Sequence, residues 1–186
     1  MSDEIARFTD KYFLKTREIV GRFGDTRVTY AAFMRRPVLL CSRLAVAWLE
    51  ARAAERGVTF DIELSYPEGA WVGAGEPLMY LTGSFHELCD LETLFLQQLG
   101  PPCVAAFNAY TMCTDLPYVA FLAMDARHCA GAAMADMMAY AASVGSAKAQ
   151  RECGAKGFIG SANDATAHYF GRERGLGTMP HALIGY

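Results

Sequence analysis

Three small groups of polar residues in the last third of the chain have types and spacings that could do chemistry. Asp125, Arg127 and His128 close the apolar run PYVAFLAMDARH. Ser161 and Asn163 close KGFIGSAND, and Thr178 and His181 stand in RGLGTMPHALIGY. A guanidinium at the end of a strand is suited to gripping a planar carboxylate through two parallel hydrogen bonds. Asp125 and Arg127 are two apart, so on a strand both point to one face. Arg127 is equally well read as a structural partner of Asp125. Ser161 and Asn163 are first of all helix N-caps. His181, between Pro180 and an apolar run, is first of all a satisfied core histidine. His86 and His168 read as surface residues.

The elements that must carry these groups follow from periodicity. PYVAFLAMDARH reads as a strand buried on both faces. CAGAAMADMMAYAASVG reads as a helix ending at Gly145, and KGFIGSAND as a second strand with its turn. A short helical segment then runs through Ala167, and RGLGTMPHALIGY supplies a third strand. Strand, helix, strand, helix, strand is the order of parallel βα units, whose function gathers at the carboxyl ends of the strands.

The earlier part of the chain reads differently. Charged residues lead into YFLKTREIVGRFG and the β-rich TRVTYAAFMRR, which Pro37 breaks. Leu40, Leu44, Ala47 and Trp48 recur at helical spacing over Leu39 to Arg56, with Gly57 as the stop. VTFDIELSYPEGAWVGAGEPLMYLTGSF alternates between turn signals as a small antiparallel unit. Its EGxWVxxGEPL turn resembles biotinyl and lipoyl carriers, but no lysine occupies the hairpin tip. Ser84 and Glu87 stand at capping-box spacing before Leu88, Leu91, Phe95 and Leu99. Gly100-Pro101-Pro102 reads as the end of that helix and the entry to another, running to about Thr114.

Bulk properties narrow the function classes. The 186 residues are 53% hydrophobic and 20% charged, enough for a sizeable core and against disorder. A net charge of -3 gives no general attraction to nucleic acid or to an anionic membrane. The N-terminus has no apolar signal core, and no apolar stretch is long enough for a bilayer. The six cysteines are scattered without CxxC spacing, which argues against zinc and reads as small buried hydrophobes in a reducing cytosol.

Five segments in order resemble the nicotinate phosphoribosyltransferase family: Thr9-Asp10-Lys11-Tyr12-Phe13, GEPLMYLTGSFHELCDLETLFLQQL, DARHCAG, GFIGSAND and GTMPHALIGY. The resemblance implies an α+β N-terminal domain followed by an incomplete α/β (TIM-like) phosphoribosyltransferase barrel. Residues 1–115 would be the N-terminal domain with its helical connection, of the quinolinate/nicotinate phosphoribosyltransferase type. Residues 116–186 would be the first three βα units of the barrel. It further implies formation of nicotinate mononucleotide from nicotinate and 5-phosphoribosyl 1-diphosphate in NAD biosynthesis, coupled to ATP and using Mg²⁺. Tyr12 would stack on the pyridine ring, in a homodimer within the partner's site. Arg127 would hold the carboxylate, Thr178 and His181 would face ribose and phosphate, with His181 as phosphoryl acceptor, and Ser161 and Asn163 would line the tunnel. A soluble cytoplasmic protein is expected, with no protein-bound metal.

Family members continue beyond the GTMPH strand, so this chain reads as a fragment of the enzyme or a truncated product. The alternatives are a quinolinate or nicotinamide phosphoribosyltransferase, or a truncated non-catalytic paralogue. Quinolinate would ask for a second cation, and no second arginine adjoins Arg127. Nicotinamide would have little use for an arginine aimed at a carboxylate.

Overall fold

The computed structural model describes residues 3–177 and 179–186, which divide into two compact units, 1–103 and 104–186. The first unit opens with two helices, α1 (Asp3–Phe8) and α2 (Lys11–Phe23). Its main sheet is antiparallel, with β5 (Pro77–Ser84) between β1 (Arg27–Phe33) and β3 (Asp61–Leu64). The register pairs Tyr30 with Leu81 and Ile62 with Leu81 across the two sides of β5. Leu78, Met79 and Leu81 of that central strand are buried, so the expected antiparallel unit has its core there. A separate ribbon pairs β2 (Val38–Leu39) with β4 (Trp71–Val72).

Helix α3 (Arg43–Arg56) ends at Gly57 in the left-handed conformation, as the sequence predicts. Its buried face differs from the predicted one. Ala45, Leu49 and Ala53 face the core, while Ala47 is exposed and Leu44 and Trp48 are half-buried. The reason is that Leu39 and Leu40 belong to the fully buried β2 ribbon and its exit, so a count begun there starts the helix out of phase.

Ser84 caps α4 (Phe85–Leu88) as expected, its hydroxyl accepting from the Glu87 amide at 3.2 Å. A 3-10 turn (Cys89–Leu91) follows, then α5 (Glu92–Asp115), which continues through Gly100-Pro101-Pro102 rather than ending there. Two interior prolines remove backbone donors and crowd the preceding turn, which ordinarily breaks a helix. Here Phe95, Leu99, Cys103, Ala106 and Cys113 form one buried stripe at helical spacing on both sides of the prolines. Burial of that stripe outweighs the local preference of the prolines.

The second unit holds β6 (Ala120–Ala123), α6 (Ala132–Cys153) and β7 (Gly157–Ser161), with β6 and β7 parallel. This is the predicted βαβ unit, but β6 is short and mostly half-buried rather than covered on both faces. Helix α6 does not stop at Gly145; it ends at Gly154, whose positive φ forms the left-handed cap. Gly145 instead marks a close approach of α6 to α5, where a β-carbon would sit 2.2 Å from the Ala106 carbonyl oxygen. Beneath the strands Cys113, Ala149 and Ala155 form a small core against Tyr110, Phe121 and Phe158.

The predicted third strand is not formed among the described residues. That segment carries a single backbone bond from Leu176 to Ser161 and then a four-residue helix, α7 (His181–Ile184). The described residues therefore build partial sheets and no closed barrel. No described helix is long and apolar enough to cross a membrane.

All six cysteines are free; Cys41, Cys89, Cys103 and Cys113 are buried, Cys129 half-buried and Cys153 exposed. Burial pushes the Cys103 thiol up to about 12 and the Cys89 thiol to about 11, so both stay protonated and inert at neutral pH.

Candidate functional site

The carboxyl ends of β6 and β7 lie side by side, Ala123 opposite Ser161, and the Ala162 amide donates to the Ala123 carbonyl at 2.9 Å. Beyond β6 the chain tightens at once into a 3-10 turn, Asp125–Arg127. The amides of His128 and Cys129 both close onto the Asp125 carbonyl, at 2.8 and 3.1 Å. Asp125 and Arg127 are thus on a turn of about three residues per revolution, and the expected shared strand face is lost.

Arg127 and His128 are exposed, and no hydrogen bond or ion pair among the described residues engages the Arg127 guanidinium. Its structural pairing with Asp125 is not formed. The Asp125 carboxylate instead receives a weak contact from Cys129 Sγ at 3.9 Å. Arg127 is therefore left as a cation open to solvent at the end of a parallel strand.

The end of β7 is organised differently. Ser161 is 1% exposed and donates its hydroxyl to the Asn163 carbonyl at 2.8 Å. Asn163 Oδ1 accepts from the Thr166 amide at 3.2 Å and from its hydroxyl at 3.1 Å, closing the turn before the 3-10 turn Ala167–Phe170. Both side chains serve the local fold here by closing the turn after β7, but neither is the expected helix N-cap, a position taken by Thr166 without a side-chain cap bond. Tyr169 donates its hydroxyl to Asp136 of α6 at 2.9 Å, a pairing the sequence did not signal because 33 residues separate the two.

His181 opens the short helix α7 after Pro180 and is exposed, so the core-histidine reading does not describe it. Thr178 lies outside the described residues. Tyr12, in the first unit, stands on α2 with 61% of its surface exposed and its ring 4.1 Å from that of Phe13. Partial desolvation, then the charges of Asp10 and Glu92, raise its phenol above the usual range. The structure thus brings Ser161 and Asn163 together and sets Arg127 just beyond the adjoining strand end.

A second concentration of charge belongs to the first unit. The Asp90 side chain is fully buried, and Arg56 lies on it through two parallel bonds, Nη1 to Oδ1 at 2.8 Å and Nη2 to Oδ2 at 2.9 Å. Arg56 also donates to the Glu87 carbonyl at 2.6 Å. Arg17 reaches the His86 carbonyl at 2.5 Å, Glu87 Oε1 at 2.9 Å and Asp90 Oδ1 at 3.3 Å. Burial pushes the Glu87 carboxyl up, but the His86 hydrogen bond and the charges of Arg17 and Arg56 outweigh it and hold it below its usual range. Both guanidiniums are occupied by protein acceptors, which makes this cluster a pin between α2, α3 and the α4 region.

Grooves occur in both units, and one of about 260 Å³ lies at the carboxyl end of β6, with Ala123, Met124 and Asp125 in its walls. One of about 630 Å³ runs beside β1 in the first unit, with Tyr30, Phe33, Arg35 and Glu92 in its walls. None of the predicted site residues lines it. Among the described residues no group of three or more His, Cys, Asp or Glu side chains could hold a metal ion.

With this geometry in place, the family described as quinolinate phosphoribosyl transferase, N-terminal domain, matches residues 10–103. No curated protein matches the chain. Among solved structures, nicotinate-nucleotide pyrophosphorylase from Pyrococcus furiosus superposes with a TM-score of 0.74 at 25% identity, covering 99% of this chain and 45% of that one. Human nicotinic acid phosphoribosyltransferase gives 0.74 at 20% identity, covering 95% and 40%. Nicotinate-nucleotide pyrophosphorylase from Francisella tularensis gives 0.52 at 13% identity, covering 73% and 50%. The chain spans less than half the length of the first two.

The family match corrects one expectation. The motifs resemble nicotinate phosphoribosyltransferases, but the N-terminal domain is of the quinolinate phosphoribosyl transferase type. At 20% identity the human enzyme shares the fold alone. Short motifs such as TDKY and GTMPH sit on an architecture common to both kinds of protein, so they could not separate them.

Proposed function

The chain belongs to the quinolinate phosphoribosyl transferase N-terminal-domain family, and on that premise we propose that it acts in pyridine-nucleotide biosynthesis. The reaction would join a pyridine carboxylate to 5-phosphoribosyl 1-diphosphate with loss of diphosphate. The observation that carries this reading is the family match over residues 10–103. Arg127 at the end of β6, without a partner among the described residues, supports it, because an arginine not spent on the fold is free to take a carboxylate.

In this reading the departing diphosphate leaves an oxocarbenium-like ribose. Catalysis then rests on holding the pyridine nitrogen against C1 and on stabilising the separated charges. Arg127 orients the ring by its carboxylate, with His128 beside it. Tyr12 offers a stacking face, in a homodimer to the partner's ring. His181 and Thr178 would face the ribose and phosphates. Mg²⁺ would arrive with the donor's diphosphate.

Quinolinate is the acceptor we place first, since it is the substrate the family is named for. Nicotinate is the second reading, favoured by the absence of a second arginine next to Arg127. The test is diphosphate release and nucleotide formation from quinolinate, nicotinate and nicotinamide in parallel, with and without ATP. Turnover of quinolinate alone supports the first reading, and turnover of nicotinate the second. ATP stimulation that disappears in His181→Ala would place His181 as phosphoryl acceptor. Turnover of none of the three would sink the enzymatic reading and favour a non-catalytic chain.

A further inference from the structure

The segment Arg172–Gly177 is fastened along the carboxyl end of β7. Arg172 Nε donates to the Ile159 carbonyl at 2.6 Å, the Leu176 amide to the Ser161 carbonyl at 2.7 Å, and the Gly175 amide to Asp164 Oδ1 at 2.8 Å. Packing reinforces these bonds. A β-carbon at Gly175 would lie 2.6 Å from the carbonyl carbon of Asn163 and 2.8 Å from its amide nitrogen and Cα. What it would strike is backbone, which cannot swing aside as a side chain can. Leu176 in turn packs over Gly160, where a β-carbon would come within 2.7 Å of its Cδ1.

Asp164 joins the turn that its neighbour Asn163 closes only through its carbonyl, which accepts from the Ala167 amide at 3.3 Å, so its carboxylate is not used there. Its carboxylate is exposed, yet its Oδ1 takes a backbone amide eleven residues away. The three bonds and the glycine contact together hold the chain against the end of β7 from Arg172 to Leu176.

We propose that Asp164 and Gly175 are positioning residues that latch Arg172–Gly177 to the end of β7 and so set the approach of the His181 segment to the reacting groups. This rests on the reading that the ends of β6 and β7 form part of a phosphoribosyl-transfer site. Neither residue is asked to touch substrate; both act through the strap.

The test uses the whole protein with Asp164→Ala, Asp164→Asn and Gly175→Ala. Amide exchange at Gly175 and Leu176, read by hydrogen–deuterium exchange, should rise about tenfold or more in Asp164→Ala and in Gly175→Ala. Asp164→Asn keeps a carbonyl acceptor and should restore protection. In the transferase assay kcat should fall about tenfold in the two disrupting variants, because small displacements of reacting groups are costly. The KM for the pyridine acid should hold, and Asn should rescue kcat. The melting temperature of the two Asp164 variants should stay within about 2 °C, as for other surface changes. Unchanged exchange in Asp164→Ala overturns the latch, whatever the activity. Faster exchange with an undiminished kcat overturns the positioning role. A wild-type protein that turns over no pyridine acid defeats the functional reading alone, and exchange still decides the latch.

Discussion

Arg56 and Arg127 show the same side chain put to opposite uses. In the first unit Arg56 is buried against Asp90 and Glu87, and its donors are occupied by protein oxygens at hydrogen-bond distance. In the second, Arg127 sits on an exposed turn after β6 without a protein partner among the described residues. A saturated guanidinium holds elements together and has nothing left for a ligand. An unsaturated one costs the fold little and can still bind. The difference separates structural charge from charge available for function, which residue type alone cannot do.

The sharpest way to break the comparison is Asp90→Ala. It leaves two guanidiniums facing an emptied buried site, and removing one partner of a buried pair destabilises by about 3–5 kcal/mol. A denaturant titration showing less than about 1 kcal/mol would put the cluster with ordinary surface pairs. Arg127→Ala should behave oppositely. Its unfolding free energy should stay within about 0.5 kcal/mol of the wild type. Its affinity for the pyridine acid should weaken by about 1.5–3 kcal/mol, read as a rise in KM or a loss of signal in titration calorimetry. A destabilised Arg127→Ala would show that this arginine serves the fold after all.

Gly145→Ala probes the second unit's own rigidity. A β-carbon 2.2 Å from the Ala106 carbonyl must drive α5 and α6 apart, at a cost of about 1–3 kcal/mol in denaturant. The smallest effect concerns acid. The Glu87 carboxyl is held below its usual range, so its contribution is complete above the unfolded value and is lost as pH falls through the folded one. Stability should therefore drop more steeply below about pH 4 in the wild type than in Glu87→Gln. Parallel acid limbs in the two proteins would remove Glu87 from the pin.

Much of the fold was legible because local signals and tertiary packing agreed. Ser84 and Glu87 mark a real cap, Gly57 a real stop, and the alternation through PLMYLTGS a real central strand. Two of the misreadings share one cause. Gly145 and Gly100-Pro101-Pro102 carry breaker chemistry, but long-range burial kept both helices running through them. At the candidate site the sequence located the two strand ends and Arg127. It could not see Asp164 meeting Gly175, nor Asp136 meeting Tyr169, because such pairs leave no periodic trace.

By itself the sequence determined where apolar stripes and turns fall, hence an antiparallel unit followed by a parallel βα unit, and the chemical types gathered at its strand ends. Those follow from side-chain period and backbone preference, which act over a few residues. Only the tertiary structure decided which charges are spent, with Arg56 and Arg17 closed on Asp90 and Arg127 left open. That choice depends on distances between residues tens of positions apart, and such distances are fixed by the packing of whole elements.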